Sequence, residues 1–470
     1  MTIISIKKPV KTMLDNLKKI KLSSVYLIPM SFFGAILIGT LMLILPVSSA
    51  GGVRTPFVDA LFTATTSVCV TGLVTVDTYS YWSLFGQTVI LILIQIGGLG
   101  VITVVSTMML MTRKRFSLSE RLLLRDALNL ENLSDLLDFL VKLIRGTMAA
   151  ELAGAILYMF AFVPRFGVAK GVWTSVFTAV SAFCNAGIDI LGPDSLVPYR
   201  DNPLVLLVTM VLIITGGLGY VVWFDLYSKT KNGRKQSYSF AQIRKSFSEH
   251  TKLVLTLTCI LILAGAALIF AAEYNNPRSL GELSVPSKIL NSIFESVTFR
   301  TAGFASFSQK ALTDTSCLAA YFLMFIGGSP IGTAGGVKTT TFYLFILNTV
   351  TYVKGKNSAH VYKRSVSGEQ MMKATAIVQV SMGTILALTL LLVTTNPVGI
   401  EDGLFEVISA CATVGLTRGV TPMLNTAGKL IITLAMYLGR IGPITMAIFL
   451  VGGKKDESDV HYSEGDFIIG

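Results

Sequence analysis

The 470-residue chain carries the same pattern four times. Four stretches of small residues end in glycine and an apolar residue: TSVCVTGL at 66–73, SAFCNAGI at 181–188, VTFRTAGF at 297–304 and SACATVGL at 409–416. Their glycines, Gly72, Gly187, Gly303 and Gly415, are 115, 116 and 112 residues apart. Each closes a segment that opens on Phe62, Phe177, Phe294 or Phe405, nine or ten residues earlier. A second mark follows 25, 29, 24 and 24 residues later: GGLG from Gly97, GGLG from Gly216, GGSP from Gly327 and GRIG from Gly439. Internal repeats of this kind dictate architecture, because each copy must find its partners among the others.

Composition says what solvent the repeats meet. The chain is 52% hydrophobic and 14% charged, against about 25% charged in average soluble domains. Eight runs are apolar enough to span a bilayer: about 25–47, 82–111, 142–162, 203–228, 252–272, 316–350, 372–394 and 428–450. The segments that begin at the four phenylalanines are shorter. Ten to twelve helical residues cover about half of a ~30 Å hydrocarbon core, which suits half-helices that enter and turn back. Two spans plus one re-entrant loop keep every copy in the same orientation, unlike the inverted repeats common in secondary transporters. The expected fold is therefore all-α and integral to the membrane. Four parallel helix–pore-loop–helix repeats surround one pore with pseudo-fourfold symmetry. The units are a basic N-terminus (1–24), repeat 1 (25–111), repeat 2 (142–228), repeat 3 with a broken inner helix (252–352), repeat 4 (372–452) and a tail (453–470).

The net charge of +12 is a topology signal rather than a nucleic-acid footprint. Five segments that would share one membrane face, 1–24, 112–142, 228–252, 353–373 and 452–470, hold 26 of the 39 Lys and Arg. The positive-inside rule puts both termini in the cytoplasm. Cys69, Cys184, Cys259, Cys317 and Cys411 show no close pairing, so they read as small buried apolar groups rather than disulfides or zinc ligands. His250, His360 and His461 all fall in the cytoplasmic segments, which argues against an intramembrane histidine relay.

The loops suggest cation chemistry. Backbone carbonyls can replace a cation's water shell, provided the chain takes dihedrals that glycine permits. Each half-helix also aims its partly negative C-terminal end at the same place. The candidate filter is Val70, Thr71 and Gly72; Asn185, Ala186 and Gly187; Thr301, Ala302 and Gly303; Thr413, Val414 and Gly415. None is acidic, so carbonyls rather than carboxylates would select the ion. Asp189 has two readings, outer-mouth electrostatics or a loop cap. Arg300 is expected to point away from the axis and brace its loop through Glu295, and Glu406 occupies a comparable position.

The third inner segment, GGSPIGTAGG at 327–336, cannot continue a helix, since proline removes a donor and the glycines weaken the rest. It predicts an unwound intramembrane loop acting as a gate or constriction, with Gly327, Gly328, Ser329, Pro330, Gly332, Thr333, Gly335 and Gly336 as its residues; a rigid packing kink is the alternative. Arg440, about twelve residues into the last inner helix, is expected to face a cavity or partner, as an electrostatic barrier or as an anchor for the loop. Lys338 either works with the loop or snorkels to the interface.

Taken together, the four loops, the GGLG marks, SVTFRTAGF, GGSPIGTAGGVKTTT and GRIGP resemble the Trk/Ktr/HKT superfamily of potassium transporters, nearest to its KtrB-type bacterial membrane subunits. The resemblance covers about residues 25–452. It implies K+ as the ion at the filter, with Gly72 the most telling position, since members with Ser there tend to favour sodium. It implies that residues 327–336 gate and that Arg440 stands beside them. It also implies a homodimer in the cell membrane with its own pore per subunit, docked on a cytosolic KtrA-type ring that binds ATP or ADP. This chain offers no GxGxxG opening a soluble βαβ unit, so it is expected to hold no cofactor itself. The 453–470 tail reads as disordered or as reaching a partner. The competing readings are a symporter coupling K+ to Na+ or H+, a membrane enzyme and an adaptor. An enzyme would need clustered intramembrane His, Asp or Cys, and an adaptor would not need four loops in register.

Overall fold

The computed structural model describes residues 24–100, 103, 136–356, 358–442 and 445. The expected basic N-terminus, most of 112–142, the ends of the 82–111 and 428–450 runs and the 453–470 tail lie outside the described residues.

Each repeat opens with a peripheral helix: α1 (Ser24–Ile44), α4 (Leu136–Phe166), α8 (Glu249–Glu273) and α12 (Gly368–Thr395). A short helix follows: α2 (Phe57–Cys69), α5 (Val168–Cys184), α9 (Val285–Thr298) and α13 (Ile400–Cys411). The inner helices are α3 (Leu84–Leu99), α6 (Pro203–Gly217), α10 (Asp314–Phe325) and α14 (Thr426–Ile441). Two further helices, α7 (Tyr220–Lys235) and α11 (Thr339–Val353), continue α6 and α10 after a break. Among the described residues the only strands are a two-residue hairpin pairing His360–Val361 with Arg364–Ser365, a small exception to the expected all-α fold.

Local chemistry sets the helix starts. Ser83, Asn202, Ser248, Ser284, Thr313, Ser367 and Asn425 each accept a backbone N–H from the first turn of the helix that follows, a contact worth about 1 kcal/mol apiece. The short helices are 13, 17, 14 and 12 residues long. Their marker phenylalanines, Phe62, Phe177, Phe294 and Phe405, are all fully buried. Within lipid such burial stabilises through close packing rather than removal from water.

Helix packing closes a ring. The inner helix of each repeat lies against the short helix of the next: α3 on α5, α6 on α9, α10 on α13 and α14 on α2. Each junction has its own polar link. Trp173 Nε1 donates to Gln87 Oε1 (2.9 Å), Asn291 Nδ2 to the Arg200 carbonyl (2.9 Å), Tyr321 OH to the Glu401 carbonyl (2.9 Å), and Lys429 Nζ to Asp59 (2.6 Å). Four different pairs distinguish four otherwise similar joints.

The inner helices correct one expectation. The break is not confined to the third repeat. In the second, α6 and α7 meet at 97° across Leu218–Gly219, so 203–228 is not one straight span. The last glycine of each GGLG-type mark holds positive φ: Gly100 (85°), Gly219 (87°) and Gly442 (95°). Glycine tolerates this backbone at little steric cost, and the helix stops there. Among the described residues, three helices are long and apolar enough to cross a membrane alone, 139–166, 249–273 and 368–395, or four if α6 with α7 counts as one.

Lys429 and Asp59 are four-fifths buried and join the last repeat to the first. Replacing either by Ala leaves the other without its charged partner. This is expected to lower stability by about 1.5–3 kcal/mol, read as a drop in detergent unfolding temperature. A double variant that loses no less than the sum of the singles would show that the pair does not act together.

Candidate functional site

Each short helix ends in the same backbone turn. Val70, Asn185, Thr301 and Thr413 sit two residues before the repeat glycines, and all four adopt left-handed conformations, with φ of 56°, 59°, 70° and 50°. The glycines follow at φ of 106°, 62°, 87° and 95°. A left-handed non-glycine residue costs roughly 1–2 kcal/mol. Four in matching places mark a shape the surroundings enforce. In the first, second and fourth repeats the turn is held by two backbone bonds, such as Thr71 N to Thr66 O and Val414 N to Ser409 O (2.8 and 2.7 Å). Hydroxyls add to it: Gly72 N donates to Thr66 Oγ1 and Gly415 N to Ser409 Oγ, both at 3.0 Å.

The four turns meet in a cycle. A Cβ on Gly72 would lie 2.6 Å from the Ala186 carbonyl oxygen. One on Gly187 would lie 2.6 Å from that of Ala302, and one on Gly303 2.5 Å from that of Val414. One on Gly415 would overlap the carbonyl of Thr71. Every glycine therefore faces the carbonyl that precedes the next repeat's glycine, and the series closes on itself. A side chain at any of the four would force the facing carbonyl to shift. Thr71, Thr301 and Thr413 keep buried hydroxyl oxygens with no hydrogen-bond partner among the described residues.

The acids behind the loops are well supplied. Glu295 accepts Ser306 N (2.8 Å), Ser306 Oγ (2.9 Å) and Gln309 Nε2 (3.0 Å). Arg300 does not pair with it, contrary to expectation; its Nη2 instead reaches the Gly327 carbonyl at 3.4 Å. Glu406 accepts Val420 N, Thr421 N, Thr421 Oγ1 and the Thr417 hydroxyl. Both carboxylates stitch the outgoing segment to the short helix. Asp189 accepts Leu191 N at 3.1 Å, which is the loop-cap reading. Of the cysteines, Cys69, Cys184 and Cys317 are buried, whereas Cys259 is exposed on α8.

The 326–338 segment lies unwound directly against these turns. Gly327 N donates to Val337 O and Thr339 N to Gly328 O, so the loop closes on itself (both 3.0 Å). Ser329 N and Thr333 N donate to Gly217 O and Gly216 O, and Pro330 packs its carbonyl on Gly219. Gly332 lies close to the Gly216 carbonyl. Thr333 Oγ1 reaches Phe183 O at 3.1 Å, at the end of α5. Gly335 abuts the Thr413 side chain, and Gly336, at φ 65°, crosses Gly327. Arg440 is the clasp: it donates to Thr333 O at 2.6 Å and to Gly97 O at 2.5 Å. Lys338 donates to Ala334 O within the loop (2.6 Å). A cavity of about 480 Å³ lies alongside, lined by Gly332, Gly335, Lys338, Lys373 and Arg440 among others.

One polar residue escaped the sequence reading. Glu151 stands in the middle of α4, buried, with Gln95 and Cys184 as neighbours. The only signal available was a single acid inside an apolar run.

The apolar helices and a family match together define a multi-pass membrane transport protein rather than an enzyme. Residues 21–459 match the family model TrkH, cation transport protein, and the chain belongs to that family. It is 37% identical to the potassium/sodium uptake protein NtpJ of Enterococcus hirae, over 96% of this chain and 98% of that protein. It is also 37% identical to the Ktr system potassium uptake protein B of Bacillus subtilis, over 97% and 98%. The corresponding protein of Vibrio alginolyticus is 34% identical, over 94% of each. The fold is similar to the crystal structure of the potassium transporter TrkH from Vibrio parahaemolyticus, with a TM-score of 0.71 over 92% of this chain and 86% of that one, at 16% identity.

Arg440→Gln removes a charged clasp on the loop. Losing about 1.5–3 kcal/mol is expected to speed amide exchange across 326–338 by roughly tenfold or more, measured by hydrogen-exchange mass spectrometry. Unchanged exchange would show that the loop is held by its other contacts alone.

Proposed function

We propose that this chain is the membrane subunit of a K+ uptake system and conducts K+ through a filter of backbone carbonyls. The single observation that carries the reading is the closed cycle in which Gly72, Gly187, Gly303 and Gly415 each face the carbonyl of the next loop. Four parallel helix–pore-loop–helix repeats, with eight spans counted across their breaks, would set this cycle on a pore axis in the cell membrane with both termini cytoplasmic. The filter is residues 70–72, 185–187, 301–303 and 413–415. The partly negative ends of α2, α5, α9 and α13 favour a cation there, and carbonyl ligands suit a large, weakly hydrated ion.

In this reading the 327–336 loop is the gate. It rests beneath the filter, and Arg440 holds it closed by bridging Thr333 to Gly97. Opening requires those bonds and the Thr333–Phe183 bond to be exchanged. The energy for that exchange would come from a cytosolic KtrA-type ring carrying ATP or ADP, since the names of two of the relatives describe parts of a Ktr system. The chain would work as a homodimer in lipid, one pore per subunit, without a cofactor of its own. Coupling of K+ to Na+ or H+ is the second reading, favoured by the potassium/sodium uptake name of the Enterococcus relative; a current that reverses at the K+ equilibrium potential whatever the Na+ and H+ gradients would rule it out.

The test is Rb+ and Na+ uptake into liposomes holding the purified chain with its regulatory ring. The native protein is expected to take up Rb+ in preference to Na+. Gly72→Ser puts a side chain against Ala186 O, and is expected to cut that preference by about tenfold or more, a change of ~1.4 kcal/mol. Preference unaltered by the variant would place selectivity elsewhere.

A further inference from the structure

Glu151 is the acid whose setting the filter and gate leave unexplained. It is 9% exposed and stands midway along α4. The other buried glutamates are saturated. Glu273 receives Asn276 Nδ2, Ser279 Oγ, Thr313 N and Thr313 Oγ1, and Glu295 and Glu406 are supplied as described above. Asp59 has Lys429. Glu151 has one amide bond, from Gln95 Nε2 at 3.3 Å, and the Cys184 thiol at 3.9 Å. Two hydroxyls close by, Thr147 and Tyr220, are 1% and 4% exposed; they face each other, and neither donates to Glu151. Thr147 is one turn before Glu151 on the same face of α4, and Tyr220 lies within electrostatic reach of Glu151 and Cys184.

A carboxylate buried at membrane depth without a cation is costly and neutralises instead. Apart from Asp138, Lys142 and Arg145, farther along α4 itself, the charged and titratable groups around it are few among the described residues. They are Cys184 from α5 and Tyr220 at the start of α7, with Arg440 from α14 acting on both. The Arg440 guanidinium is itself committed to Thr333 O and Gly97 O. The neighbours also do not converge oxygen ligands on one point as a metal ion would need, because Gln95 turns its amide hydrogens toward the carboxyl. What fits is the smallest cation.

We propose that Glu151 is a proton-binding site in the membrane interior, and that its occupancy governs transport by setting how the second loop packs against α3. The link is Cys184. It is the last residue of α5, immediately before Asn185-Ala186-Gly187, and its side chain fills the space a Cβ on Gly98 would need. Protonated, Glu151 is a neutral carboxyl that lets Cys184, Gln95 and Gly98 stay in contact. Ionised, it must draw water or a donor into that contact and loosen the loop from behind. The step is a bare protonation, carboxylate plus H+ giving carboxyl, and consumes nothing else. Flux is therefore high at low pH and falls as Glu151 loses its proton.

Two measurements test this, and the first is independent of the transport reading. Infrared difference spectra of the purified protein between about pH 5.5 and about pH 8.5 are expected to contain a protonated-carboxyl band that disappears in Glu151→Gln and shifts in Glu151→Asp. In the second, Rb+ uptake by the native protein is expected to fall several-fold over that range at fixed Na+. Glu151→Gln is expected to be flat near the acid-side rate, while a control at half-exposed Glu249, which pairs with Arg364 at the start of α8, follows the native curve as Glu249→Gln. No band assignable to Glu151, or a native pH profile that survives in Glu151→Gln, overturns the proposal. So does a profile that follows Na+ rather than pH. If the native protein takes up no Rb+ at any pH, the transport reading fails and the infrared result still decides the proton site.

Discussion

Everything in this structure depends on four glycines that leave room for four carbonyls. Gly72, Gly187, Gly303 and Gly415 each accept a neighbour's backbone where a methyl group would collide. That contact only exists if the four turns share one shape, which is why all four carry a left-handed residue two positions earlier. The turns in turn need short helices of fixed depth, and these need inner helices from the preceding repeat to lean on. The symmetry is a consequence of the backbone contact.

The same close approach organises the layer below. Gly97, Gly216 and Gly439 press their helices onto the carbonyls of Val68, Phe183 and Cys411, each four residues before a repeat glycine. In the third repeat this contact is replaced: Gly327 folds against Gly335, and Arg300 occupies the position held by Cys69, Cys184 and Ala412 elsewhere. Breaking the local rule once frees a loop that touches the second, third and fourth turns together. Arg440 then ties this loop to the first repeat through Gly97. A guanidinium at membrane depth is expensive, and here two backbone carbonyls and the adjoining cavity offset that cost for half-buried Arg440.

Much of this was legible in the sequence because it is written locally. The repeat glycines and the 327–336 break follow from residue types at fixed spacing, whereas the short helices, at 13, 17, 14 and 12 residues, mostly outrun the ten to twelve that the phenylalanines mark. Partners distant in the chain were not legible. Lys429 finds Asp59 some 370 residues away, and Arg300 bonds Gly327 rather than nearby Glu295, because Ser306 and Gln309 already occupy that carboxylate. The bend between α6 and α7 was hidden since GGLG in an apolar run suits a continuous helix and a broken one alike; only contact with Ser329 and Thr333 of the loop decides it. Glu151 was hidden for the same reason, as one of two acids in 31 helical residues says nothing about its neighbours.

The most direct test of the central claim is to locate the ion. Crystals of the protein grown with Rb+ or Tl+ should show anomalous density on the axis of the four turns, within coordinating distance of the carbonyls of Thr71, Ala186, Ala302 and Val414. Density there, displaced by K+ and not by Na+, is what the account predicts. An axis that stays empty while the ion binds elsewhere in a folded protein would contradict it.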